Sequence, residues 1–185
     1  MKIKLVDGFK IRNTVDINFA VIEDHYASPS LVPAGEIWLE KEYWREKDEI
    51  VKYYIKFRAL TKKHPLSKAR KEFILPAPAK PVPVKIKSLG KFGKNRIFLV
   101  NGHKVRQTYD HFFFLGGHYR VYKYVPKNEV WIDDTALTKD RKYTLIHEFY
   151  ELELMDRGMN YENAHKHALD AEKGARMCEG IAKFI

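Results

Sequence analysis

A single cysteine, Cys178, in a chain of 185 residues leaves no partner for an internal disulfide and no multi-cysteine zinc site. The expected setting is therefore reducing: intracellular and cytoplasmic. No apolar run approaches the roughly 18 residues that a membrane span needs, so no membrane partner is expected. The opening segment MKIKLVDGFK alternates charged and apolar side chains and lacks the apolar block of a signal peptide. Glutamine is almost missing, with Gln107 alone, whereas Lys, Glu, Ile and Tyr are abundant, a bias that points to a thermophilic source. Acidic residues are nearly absent from one stretch: residues 51–100 hold 14 Lys or Arg against one acid, Glu72. The formal charge of +10 is thus concentrated there.

What the chain does contain is a repeat. KIKLVDGFKIRNTVDINF from Lys2 aligns without a gap with RIFLVNGHKVRQTYDHFF from Arg96, and about half of the aligned positions are identical. After a one-residue slip, Val32-Pro33-Ala34-Gly35-Glu36-Ile37-Trp38-Leu39-Glu40 matches Val125-Pro126-Lys127-Asn128-Glu129-Val130-Trp131-Ile132-Asp133. Two diverged copies of one unit explain this. Each copy reads as two alternating runs joined at Asp7-Gly8 or Asn101-Gly102, dipeptides suited to a type I′ hairpin turn. A further strand is expected at Ile37 to Leu39 and Val130 to Ile132, then a helix at about 46–61 and 143–157. The expected fold is α+β: a first β-hairpin/strand/helix unit at 1–75 with a basic helix and no site, a Pro/Lys-rich linker at 76–89, and a second unit at 90–185. Pro76, Pro78, Pro81 and Pro83 make that linker read as extended polyproline.

The second unit ends in a pattern of two helices, stopped by Gly158 and restarted at Asn160 as N-cap. His147 and Glu151 are four residues apart, so a helix puts them on one face. Tyr161, Ala164, His165, Ala168, Glu172 and Ala175 recur at the helical period on the next. Folding the helices back antiparallel brings the polar members of both stripes together. Such burial is costly unless the groups are hydrogen-bonded, paired or bound to a metal.

His147-Glu148-Phe149-Tyr150-Glu151 resembles the active-site helix of zincin metallohydrolases, whose HExxH motif supplies two zinc ligands and a glutamate base. The resemblance implies that His147 is a ligand and that Glu148 is the base that activates a metal-bound water. Glu151, standing where the family has its second histidine, would ligate through oxygen, with His165 or Glu172 third and Tyr161 or Tyr150 assisting. Zinc is the expected ion; the added carboxylate also suits iron or manganese. A metal-dependent peptidase or amidase follows. Glu162 to His165 has the ExxH spacing of dimetal bundles, though only one such motif is present. The same residues also fit a buried hydrogen-bonded network, or a solvated helix face.

From a different class, the basic 51–100 block, with aromatics interleaved and Lys56, Lys63 and Arg70 as backbone contacts, fits a non-catalytic protein that binds nucleic acid or another acidic partner. Arg12, Thr14 and Asp16, which recur as Arg106, Thr108 and Asp110, read as structural, with an Arg-carboxylate pair in each unit. His111 and His118, beside an apolar strand, read as ordinary histidines.

Overall fold

Asp7 does not open a hairpin turn: its carboxylate accepts the Lys10 amide at 2.9 Å and caps a helix. The computed structural model describes residues 1–182. Along the chain run β1 (Lys2–Val6), α1 (Gly8–Thr14), β2 (Ile22–Asp24), β3 (Glu36–Glu40), a 3-10 helix (Lys41–Glu46), α2 (Lys47–Thr61) and α3 (Leu66–Lys71). There follow β4 (Lys85–Phe92), β5 (Asn95–Val100), α4 (Gly102–Thr108), β6 (Gly116–His118), β7 (Glu129–Asp133), α5 (Arg141–Asp156) and α6 (Tyr161–Ala182). The α+β class holds, and the strands and helices expected at 37–39, 130–132, 46–61 and 143–157 form within a residue or two. No helix among the described residues is long and apolar enough to cross a membrane.

The expected hairpins at Asp7-Gly8 and Asn101-Gly102 are replaced by strand-to-helix turns, and the reason lies in the glycines. Neither has the positive φ of a type I′ turn. Each is needed for close approach instead: a Cβ on Gly8 would overlap the Glu40 carboxylate, and one on Gly102 the Asp133 carboxylate. With a helix inserted after the first strand, the next strand to pair with it does so in parallel. Accordingly β1 runs parallel to β3 with Lys2 opposite Glu36, and β5 parallel to β7 with Arg96 opposite Glu129.

The chain divides into two compact units, Met1–Pro83 with His103–Phe113, and Val84–Gly102 with Phe114–Ile185. In the first, a three-stranded sheet of order β1-β3-β2 packs Val6, Ile11 and Phe19 with Leu31 and Trp38. In the second, a four-stranded sheet of order β4-β5-β7-β6 buries Ile97, Leu99, Val130 and Ile132 against Leu152 of α5. The segment read as a linker to residue 89 becomes strand at Lys85: β4 turns at Gly93-Lys94 and pairs antiparallel with β5, and this is the hairpin that the second unit has.

Repeated residues make repeated contacts. Arg12 donates to the Phe19 carbonyl at 3.2 Å, and Arg106 to that of Phe113 at 2.9 Å. Trp38 donates to Glu36 at 2.7 Å, and Trp131 to Glu129 at 2.9 Å. Asp16 accepts the Asn18 amide and Asp110 that of Phe112, each at 2.9 Å. The arginines also pair with carboxylates: Arg12 with Glu40 inside its own repeat, as expected, and Arg106 with Glu46 of the other repeat. These positions stabilise the scaffold.

In the second unit β6 lies against α5 because Gly116 has no side chain. A Cβ there would stand 2.8 Å from Thr144 Cγ2, 3.0 Å from the Trp131 carbonyl oxygen and 3.2 Å from Ile132 Cδ1. Since one of these neighbours is backbone, Gly116→Ala is expected to lower stability by about 1–3 kcal/mol, the usual cost of overpacking. Chemical denaturation measures this, and an unchanged midpoint would show that β6 can retreat freely.

Candidate metal centre

Helix α5 presents His147, Glu148 and Glu151 as buried groups, and Gly158, at φ +96°, ends the turn after it. Asn160 accepts the Asn163 amide at 3.0 Å and so starts α6, which runs back along α5. The helix hairpin brings together His147, Glu151 and His165, one of the two sets that the sequence offered, the other having Glu172 as its third member. His165 Nδ1 is 2.7 Å from Glu151 Oε2 and 3.1 Å from His147 Nε2, and the third edge, His147 Nε2 to Glu151 Oε2, is 3.6 Å. Ligands at 2.0–2.2 Å from a tetrahedral ion stand about 3.3–3.6 Å apart. Two edges are close to that span, and the third is a hydrogen-bond length.

Glu172, the other candidate for third ligand, contacts the far nitrogen of His147. His147 Nδ1 donates to Glu172 Oε2 at 3.1 Å, which turns Nε2 toward Glu151 and His165. Behind it, Arg176 donates to Glu172 through Nε at 3.0 Å and Nη2 at 2.6 Å, and Nη2 also donates to Asp140 at 2.6 Å. The guanidinium lies 4.1 Å from the centre of the Tyr143 ring. A buried row therefore runs from Asp140 through Arg176 and Glu172 to His147, the first member of the trio.

Charge follows from these contacts. Burial works against an ionised Glu151, but hydrogen bonds from His118, His147 and His165 outweigh it and hold the carboxyl well below its usual range. Burial likewise opposes a charged His147, yet its bonds to Glu151 and Glu172 win and push it up to about 10. Glu172 is lowered, because the His147 bond and the Arg176 charge overcome burial. Glu148 moves the other way: burial raises it, assisted by the negative charge of Glu151, so this carboxylate is the basic one.

Tyr161 stands at the outer side, 43% exposed, its ring centre 5.4 Å from that of His165. Tyr150 is elsewhere. It lines a groove of about 680 Å³ with Phe92, Leu145, Ile146 and Phe149, which shares no residue with the trio. His118, passed over in the sequence, belongs to the cluster: fully buried at the end of β6, it places Nε2 2.9 Å from Glu151 Oε1. His118, Glu148 and Glu151 form a second group of donor atoms lying within 4.8 Å of one another. No local spacing announced it, since 33 residues separate His118 from Glu151.

The first unit shows what the same positions do with other residues. Asp24 opposes Ile37 as His118 opposes Val130, and Arg58 falls where Glu151 does when counted from the tryptophans. Arg58 Nε donates to Asp24 at 3.2 Å, so a strand-to-helix link persists with its charges reversed. At the position of His147 stands Tyr54, buried, its hydroxyl raised by burial and by Asp24. No cluster of metal donors is found in this unit among its described residues.

Of the basic residues considered for nucleic acid, Arg70 holds Asp110 through two bonds of 2.7 Å, and Lys56 lies 5.6 Å from the Phe73 ring centre. Lys63 is exposed. No family model matches this chain, and no curated protein or solved structure shows a significant similarity to it.

Proposed function

We propose that the second unit binds one divalent metal through His147 Nε2, Glu151 Oε2 and His165 Nδ1, and that it hydrolyses an amide or ester. The observation that carries this reading is the convergence of three donor atoms backed by the Glu172 carboxylate on the far nitrogen of His147. Two imidazoles and one carboxylate make a donor set suited to catalytic zinc, and iron or manganese also accept it. The ion, when bound, supplies Lewis acidity, polarising the scissile carbonyl and making water more acidic.

The chain's own groups do the rest. Glu148 takes the proton from the attacking water as its oxygen bonds to the carbonyl carbon, then returns it to the leaving nitrogen or oxygen as that bond breaks. Burial raises its basicity for this task. Tyr161, exposed beside His165, is placed to orient the substrate at the mouth of the site. The contacts that the two repeated sequences share support descent from one ancestral sequence, with chemistry kept in the second copy.

A panel of peptide, amide and ester substrates tests the proposal. The zinc- or manganese-loaded protein is expected to turn over at least one class, and chelation to abolish turnover. Loss of none of that activity on chelation would overturn the metal-dependent reading.

A proton result also follows. In the ion-free protein His147 carries a proton at neutral pH, and an ion must displace it. Metal uptake at pH 7 is expected to release about one proton from this group, with affinity rising as pH increases toward 10. The stability that the His147 pairs contribute without metal is fully present below 6.5, the ordinary histidine value, and is lost as pH rises through about 10. Calorimetry in two buffers of different ionisation enthalpy counts the protons; no release would contradict the assignment of His147.

A further inference from the structure

We infer that His118 is a positioning residue for Glu151, one that selects Oε2 as the single coordinating oxygen, and is not itself a ligand. This deepens the metal reading and rests on it. The first observation is the hydrogen bonding of the ring. His118 Nδ1 accepts the backbone N–H of Arg120 at 3.2 Å, so in the neutral imidazole the proton sits on Nε2. Nε2–H then donates to Glu151 Oε1 at 2.9 Å. His118 could expose an Nε2 lone pair to a metal only by moving that proton to Nδ1, which would break the bond from Arg120.

The second observation is spatial. His147, Glu151 and His165 form one donor group without His118, whose own group is with Glu148 and Glu151. The two oxygens of Glu151 are thereby divided: Oε1 faces His118, and Oε2 faces His165 at 2.7 Å. Fixing Oε1 in a hydrogen bond leaves Oε2 for the ion and disfavours a two-oxygen chelate. The first unit supplies a third, independent observation. There Asp24 and Arg58 join the matching strand and helix positions, with no cluster of metal donors found among that unit's described residues. The link is thus part of the scaffold, and in the second unit it acts on a ligand.

The arrangement has a consequence for Glu148 as well. An imidazole that stays off the ion remains within 4.8 Å of Glu148. His118 therefore hydrogen-bonds the ligand that holds the ion and lies near the base that works next to it, without contacting the ion.

Cobalt(II) titration of the full chain tests this, with visible absorption as the readout. The parent is expected to take up about one equivalent. His118→Ala should still take up one, but with affinity weakened roughly 10–100-fold, the usual effect of losing such a supporting bond. Its spectrum should shift as Glu151 becomes free to coordinate through both oxygens. His118→Gln, whose amide nitrogen reaches the place of Nε2, should restore the affinity to within several-fold. His118→Asn, whose shorter amide reaches only the place of Nδ1, should not. That contrast separates positioning from mere packing, and the Gln variant keeps the test valid if Ala fails to fold. Two equivalents in the parent and one in His118→Ala would make His118 a ligand to a second ion and overturn the inference. Unchanged affinity and spectrum in His118→Ala would overturn it too. A parent that takes up no cobalt fails differently, since it removes the metal reading itself and this inference with it.

Discussion

Glu148→Gln is expected to leave metal content unchanged and to lower kcat roughly 10²–10⁴-fold, the range general bases contribute. The amide keeps the size and much of the packing of the buried carboxyl but cannot accept a proton at neutral pH. Glu148 lies outside the donor trio, so ion binding should survive. The measurement pairs metal analysis with kcat on whichever substrate class the loaded protein accepts. Loss of metal together with activity would make Glu148 a ligand. Full activity would remove it from the chemistry.

Arg176→Met is expected to destabilise the protein by about 3–5 kcal/mol, the cost of removing one partner from a buried ion pair. Arg176 is 5% exposed and binds both Asp140 and Glu172, also buried. Methionine fills similar space against the Tyr143 ring but leaves two carboxylates without their shared cation. The damage should reach the proposed metal centre, because Glu172 hydrogen-bonds His147. Urea denaturation with and without added zinc measures both effects. A change below about 1 kcal/mol would mean that water replaces the guanidinium, and that the row from Asp140 to His147 is not stabilised as a unit.

The legible part of this site was the local part. His147, Glu151 and His165 sit on two helices whose periodicity, with Gly158 and Asn160 as stop and start, shows in the sequence which faces meet. His118 was hidden because its partner is reached through the sheet, and β6 is only three residues long. Arg176 was hidden for a related reason. An arginine near the end of a helix looks solvated until Asp140 and Glu172 are found beside it.

Asp7-Gly8 and Asn101-Gly102 misled because the residues that favour a tight turn also favour a helix start. What decides between them is a glycine's neighbour across the sheet, Glu40 or Asp133, which no local pattern contains. Strand β4 was absorbed into the linker for an opposite reason: its alternating Val84-Lys85-Ile86-Lys87 follows directly on the proline run, and all eight β4 residues are exposed, so no buried face set it apart.

His147, Glu151 and His165 are proposed to hold one ion. Elemental analysis of the purified, tag-free protein, beside His147→Ala/Glu151→Ala, tests it most directly. The account predicts about one equivalent of zinc, iron or manganese in the parent after incubation with the ion, and none in the double variant. A folded parent that takes up no metal, or a double variant that keeps as much as the parent, would contradict it.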